Sequence, residues 1–258
     1  MPSGRSSSWS TRLLRMALTF RKLHPHFVAE VGPVDFRRVH DPETLARIRA
    51  AMDEYAVLVF HDQPFTDDEH LAFAQRLDGE LHTKPGSRAL VKNRFGNEAL
   101  GDISNLDENG EVMKSDHRRR MYGLGNRLWH TDASFQDPAG RYSMLSAKVV
   151  PPVAADTEFA DMRAAYDALD AETKVRLEGL RVHHSIAYSR QTLGFEFSPD
   201  EQEALKGAVH PLVRTIPRSF RATMHRARPF DDTKHRRELR RVTTLDITEP
   251  ARGPSVRA

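Results

Sequence analysis

Trp129-His-Thr-Asp-Ala-Ser-Phe-Gln136 sets His130 and Asp132 two positions apart. On an extended strand residues i and i+2 point to one face, so an imidazole and a carboxylate would lie side by side. A divalent metal held facially by two imidazoles and one carboxylate needs such a pair plus a second His from elsewhere, leaving three adjacent positions for exogenous ligands. Spacing alone decides little. With 13 His and 36 acidic residues in 258, His-x-Asp/Glu should arise by chance about twice. The surrounding string carries the weight.

That string runs Leu128-Trp-His-Thr-Asp-Ala-Ser-Phe135, Arg141-Tyr-Ser-Met-Leu-Ser-Ala147, Pro151-Pro152 and Asp156-Thr-Glu-Phe-Ala-Asp-Met-Arg-Ala-Ala-Tyr-Asp-Ala-Leu169. Upstream stand Tyr55-Ala-Val-Leu-Val-Phe60 and Asp102-Ile-Ser-Asn105, and downstream Met224-His-Arg-Ala227 and Arg236-Arg-Glu-Leu-Arg-Arg241. In this order they resemble the taurine dioxygenase and 2,4-dichlorophenoxyacetate dioxygenase (TauD/TfdA) family of Fe(II)- and 2-oxoglutarate-dependent oxygenases, above all its aryloxyacetate-cleaving branch. The resemblance runs from about Leu23 to Asp246.

The resemblance implies roles for single residues. His130 and Asp132 match the first two iron ligands and His225 the third. An Arg eleven or twelve positions past the distal His pairs with the far carboxylate of 2-oxoglutarate in this family, and Arg236 and Arg237 stand at those offsets. Aligning the Arg-rich string gives Arg237 that role and turns Arg241 toward a substrate carboxylate. A guanidinium fork meets a carboxylate bidentately, which an ammonium cannot do. Thr157 matches a hydroxyl on the same 2-oxoglutarate carboxylate, although a strand Thr that simply packs well reads the same way. Trp129 would wall the pocket. Lys84 and Lys92 could reach an anionic substrate, while His183 and His184 read as ordinary strand residues. The implied reaction consumes O₂ and 2-oxoglutarate, releases succinate and CO₂, and hydroxylates a small organic carboxylate. Next to an ether oxygen, that hydroxylation ends in a phenol and glyoxylate. An alkyl sulfonate or sulfate ester as substrate, or an inactive truncated relative, are the competing readings.

Composition bounds these expectations. Zero cysteines exclude disulfides and thiolate metal sites, leaving His, Asp and Glu as ligands and fitting a reducing cytoplasm. No stretch approaches the roughly 18 apolar residues of a membrane span. From Arg214 to Arg241 ten Arg or Lys stand against three acids. Without interleaved aromatics or a recognisable module this does not read as a nucleic-acid surface, and an anionic small molecule accounts for part of it. Partners are thus a small anion and, as an open alternative, further copies of the chain.

Local signals predict a mainly β chain with flanking helices. Asp41-Pro-Glu43 starts a helix over 42–54 that feeds a strand at 56–61. Thr66-Asp-Asp-Glu69 and Ser198-Pro-Asp-Glu201 are capping boxes, and Asp161 and Asp170 cap two short helices. Strands are expected at 127–132, 142–149, 181–188, 210–215 and 239–245, which suggests a double-stranded β-helix, or jelly roll. The polar segment 84–126 reads as a lid-like loop, residues 1–15 as a disordered extension or over-called start, and 247–258 as a disordered tail around a single domain over 16–246. The pattern departs from the family between Ser219 and Ala222. There the resemblance implies that a helix and two or more strands, on the order of fifty residues, are spliced out, so the jelly roll is expected to be incomplete. Ala154 and Ala155 replace a family Gly-Gly, and position 111 is Glu where some relatives carry Lys.

Overall fold

The computed structural model describes residues 18–83, 94–214 and 223–246. Lys84, Lys92, the two chain ends and the Ser219–Ala222 junction lie outside that set.

The N-terminal layer forms as the capping signals dictate. Asp41 accepts from the Thr44 amide and Pro42 occupies the first turn of α1 (Pro42–Tyr55), because an N-cap oxygen satisfies an otherwise orphaned helix amide. Thr66 and Glu69 close a reciprocal capping box on α2 (Asp67–Asp78), which buries Leu71, Phe73 and Leu77. Strands β1 (Thr19–Lys22) and β2 (Ala29–Gly32) pair antiparallel, and β2 runs parallel to β3 (Leu58–Phe60). A parallel pair needs a crossover, and α1 supplies it. Ile48, Phe73, Val31 and Phe36 pack this helix pair onto the sheet; each fully buried side chain of this size contributes about 1.5–3 kcal/mol.

The second layer carries the site. Strand β10 (Glu238–Leu245) lies between β4 (Gly101–Ser104) and β5 (Gly140–Val149), antiparallel to both. It is buried along most of its length, and its buried charges Glu238 and Arg240 pair at 2.7 Å, as desolvated ions must. Two further pairs complete the sheets: β6 (Thr157–Asp161) with β9 (Thr223–Ala227), and β7 (Arg181–His184) with β8 (Ala208–Pro211). The remaining helices, α3 (Arg118–Gly123), α4 (Met162–Asp167), α5 (Ala171–Leu177), α6 (Ile186–Gln191) and α7 (Pro199–Ala204), are short and flank the sheets. The molecule is thus mostly β with flanking helices, its described strands forming four separate sheets. No described helix is long and apolar enough to cross a membrane.

Several expected elements differ. The strand expected at 127–132 is a 3-10 turn (Leu124–Arg127) followed by a single isolated bridge at His130, and Ala133 at φ 56° bends the chain away. The segment read as a lid-like loop contributes β4 and α3 to the framework, so it is not featureless. The strand expected through Tyr188 stops at His184, because the Ser185 side chain caps α6 by accepting from the Tyr188 amide. β8 ends at Pro211, whose missing amide removes a ladder donor.

Candidate metal centre and its anion-binding flank

The register of β6 and β9 sets Phe159 opposite His225. On the other edge of β9, the His225 amide donates to the His130 carbonyl at 2.9 Å and the His130 amide returns the bond at 3.1 Å. One isolated bridge therefore lays two imidazole-bearing segments side by side, with ring centroids 4.4 Å apart. Asp132 follows two residues on. Its Oδ1 lies 3.9 Å from His130 Nε2 and 3.7 Å from His225 Nε2. One donor atom from each of the three falls within 4.8 Å of the others.

Neighbours fix how these groups point. His130 Nδ1 donates to the Leu128 carbonyl at 2.7 Å, which leaves the Nε2 lone pair turned toward Asp132. Ser143, on β5, donates to Asp132 Oδ2 at 2.9 Å, and Arg241, on β10, donates to Oδ1 at 2.8 Å. Burial alone would raise the Asp132 carboxyl, but Arg241 and the two imidazoles outweigh it and hold the group at about 2. Burial pushes His130 and His225 below the ordinary 6.5. At neutral pH the cluster is one carboxylate and two neutral imidazoles, the protonation state that metal ligation requires.

An iron ion fits this donor set. Adjacent ligands roughly 2.1 Å from an ion stand about 3 Å apart, so spacings of 3.7 and 3.9 Å close with small side-chain rotations. The mixed N and O donors suit a facial Fe(II) or Mn(II) site.

Beside the cluster, Arg237 donates to Thr157 Oγ1 at 3.5 Å. Among the described residues no carboxylate stands at ion-pair distance from this guanidinium, and burial lowers its pKa. A half-buried cation without a counter-charge favours an anionic ligand. Arg236 turns the other way and pairs with Glu238 at 2.8 Å. The Arg237 amide donates to Asn105 Oδ1, and Asn105 Nδ2 donates to the Asp232 and His235 carbonyls at 2.6 and 2.8 Å. Asn105 thereby shapes the turn that delivers Arg237. Trp129, Arg237, Arg241 and the three metal-ligand candidates line one cavity of about 1940 Å³. Trp129 sits at its wall with the Arg226 guanidinium 4.9 Å from its ring centre. His183 is tied to the Lys206 carbonyl at 2.6 Å. Sequence reasoning missed Ser143 and Asn105, although both lie in quoted strings, Ser143 within Arg141–Ala147 and Asn105 at the end of Asp102–Asn105.

Two imidazoles and one carboxylate within 4.8 Å of one another, with guanidinium groups beside them, are a donor set that fits a non-haem iron enzyme. Residues 19–221 match the family described as taurine catabolism dioxygenase TauD, TfdA family, and the chain belongs to that family. The match stops short of His225. The chain is 42% identical over 207 residues to the alpha-ketoglutarate-dependent 2,4-dichlorophenoxyacetate dioxygenase of Cupriavidus pinatubonensis, covering 78% of this chain and 70% of that protein. It is 36% identical over 186 residues to the (S)-phenoxypropionate/alpha-ketoglutarate-dioxygenase of Sphingobium herbicidovorans, covering 69% of this chain and 59% of the relative. The crystal structure of AAD-2 in complex with Mn(II) and N-oxalylglycine superposes with a TM-score of 0.82 at 35% identity, covering 92% of this chain and 100% of that one. The enzyme is an Fe(II)- and 2-oxoglutarate-dependent dioxygenase acting on a small organic substrate.

Proposed function

We propose that this dioxygenase hydroxylates aryloxyacetate-type carboxylates, with His130, Asp132 and His225 holding Fe(II). The carrying observation is the convergence of these three groups, within 4.8 Å of one another, beside Arg241 and the Arg237–Thr157 pair. When bound, Fe(II) supplies the redox chemistry that couples decarboxylation of 2-oxoglutarate by O₂ to insertion of oxygen into a C–H bond. The chain's own groups set the geometry. Arg237 and Thr157 take the far carboxylate of 2-oxoglutarate, and Arg241 takes the substrate carboxylate, with Lys84 as a second cation for it. Trp129 screens the pocket from water. A hydroxyl placed on the carbon next to the ether oxygen gives a hemiacetal. Its proton passes to the phenolic oxygen as the C–O bond breaks, leaving a phenol and glyoxylate beside succinate and CO₂.

Two of the curated relatives are named for aryloxyalkanoate substrates, which supports this branch. The same reading takes the sheets as a double-stranded β-helix with one sheet short and the chain as a cytoplasmic protein, and it leaves a homo-oligomer open. Succinate release under aerobic Fe(II) tests the function, measured with aryloxyacetates, alkyl sulfonates and alkyl sulfates in parallel. Turnover with aryloxyacetates supports the proposal. Turnover confined to sulfonates or sulfates moves the substrate class, and no coupled turnover with any of them identifies an inactive relative.

A further inference from the structure

Arg190, on α6, is 7% exposed, and among the described residues no carboxylate lies at ion-pair distance from it. Its donors go to neutral groups. Nε donates to the Tyr122 carbonyl at 3.3 Å, one terminal nitrogen to Asn126 Oδ1 at 2.8 Å and the other to Ser189 Oγ at 2.9 Å. The guanidinium also lies 5.0 Å from the Tyr122 ring centre. A buried charge held this way is expensive unless its hydrogen bonds are complete, so the question is what the arrangement holds in place.

It holds the turn that leads into the metal cluster. Tyr122 and Asn126 bracket Gly125, and a Cβ on Gly125 would run into the Arg190 guanidinium. Glycine is required there by close approach, since Gly125 is not among the residues of positive φ. The turn then closes as the Leu128 amide donates to the Gly125 carbonyl at 3.2 Å. The next link is the Leu128 carbonyl, which accepts from His130 Nδ1 at 2.7 Å. From the guanidinium to the imidazole the chain is continuous: Arg190 to Tyr122 and Asn126, the 3-10 turn to Leu128, and Leu128 to the His130 ring.

We infer that Arg190 is a positioning residue for the metal centre, clamping the 122–128 turn so that the Leu128 carbonyl orients His130 Nε2 toward the ion. This rests on the reading of His130 as a ligand. Groups that orient a ligating His typically change metal affinity by about 10–100-fold when removed. The fork geometry matters as well as the charge, because two donors must reach two acceptors on different residues.

The test uses the full chain and measures Mn(II) affinity by electron paramagnetic resonance, the Co(II) d–d absorption spectrum and thermal unfolding. The variants are Arg190→Lys, Arg190→Ala, Gly125→Ala, Arg190→Ala with Gly125→Ala, and His130→Ala. Arg190→Lys and Gly125→Ala should each weaken Mn(II) binding about tenfold and shift the Co(II) spectrum. Adding Gly125→Ala to Arg190→Ala should cost little more, because the added methyl then occupies space the guanidinium has left. Wild-type Mn(II) affinity and Co(II) spectrum in Arg190→Lys and Gly125→Ala, with only the melting temperature lowered, would make Arg190 a framework residue and overturn the inference. Unchanged Mn(II) binding in His130→Ala would instead overturn the ligand reading beneath it.

Discussion

Arg241 donates to Asp132 Oδ1 at 2.8 Å, the same carboxylate oxygen that faces both imidazoles. One guanidinium therefore neutralises the carboxylate that stands between the two imidazoles, and under the proposed function the same group takes the substrate carboxylate. Replacing it with Met should raise the KM for a carboxylate substrate by roughly 10–100-fold, since a hydrogen bond to a charged group contributes about 1.5–3 kcal/mol. The KM for 2-oxoglutarate should change little. Steady-state kinetics with each substrate varied in turn checks this, and an unchanged KM for the carboxylate substrate removes Arg241 from the binding site.

The same cluster sets a pH dependence. Asp132 is held at about 2, below its ordinary 3.8, so it contributes stability that is present above 3.8 and is lost as pH falls toward 2. His130 and His225 are lowered from 6.5. The unfolded chain binds their protons more readily, and falling pH through 6.5 also favours unfolding. All three groups push the same way. The denaturant midpoint of the metal-free protein should fall as pH drops from 7 to 5, and replacing both His with Gln should flatten that limb while leaving the steeper acid limb. A slope unaffected by the double replacement would place the titration elsewhere.

What the sequence made legible was local. Asp41, Thr66 and Ser198 start helices where they stand because a cap needs only the next three residues. The convergence of His130 with Asp132 was also legible, yet the strand argument behind it was not what the chain uses. A single bridge to His225 does the work, and Ala133 at φ 56° is an unsignalled bend. β4 was hidden inside a polar segment because its partner β10 begins more than 130 residues later, and no alternation marks four half-buried residues. Ser143 and Arg190 matter through tertiary contacts with Asp132 and Tyr122, which leave no periodic trace.

Neighbouring arginines should separate sharply. Arg237 faces Thr157 with no counter-charge among the described residues, whereas Arg236 pairs with Glu238 with its own side chain 49% exposed. Arg237→Ala should raise the KM for 2-oxoglutarate by about 30-fold or more, the loss of a bidentate charged contact of roughly 2–3 kcal/mol. Arg236→Ala should cost under about 1 kcal/mol in stability and leave that KM unchanged. The reverse pattern would shift the register of this segment by one residue.

Ser143 should matter out of proportion to its size. Its hydroxyl holds Asp132 Oδ2 at 2.9 Å, turning Oδ1 toward the imidazoles. Ser143→Ala should weaken Mn(II) binding by about tenfold, as expected when a partner of a ligating carboxylate is lost, with fold stability reduced by only about 1 kcal/mol. Calorimetric titration and thermal unfolding separate the two effects. Full metal affinity in Ser143→Ala would mean that Arg241 alone orients the carboxylate.

The last expectation rests on the proposal, made from the sequence pattern, that on the order of fifty residues are missing between Ser219 and Ala222. The described neighbourhood bears on it directly. β7 and β8 form a two-stranded sheet with Val209 50% exposed, while Leu212 and Tyr188 beside it are 46% and 71% exposed. β9, which carries His225, pairs with β6, and among the described residues its other edge is held by one isolated backbone bridge, to His130. Short pairs with open edges are weakly supported and invite association. Inserting a family-like segment at the junction should therefore raise the melting temperature by several degrees, corresponding to about 1 kcal/mol or more. It should also shift the protein toward monomer or a defined oligomer and tighten Mn(II) binding, because the strand that carries His225 would be better supported by the sheet around it. Unfolding scans, light scattering and metal titration on the two chains make the comparison. Equal stability, equal metal affinity and equal succinate formation would show that the short chain already supports His225 fully, and that the junction removes nothing the site requires.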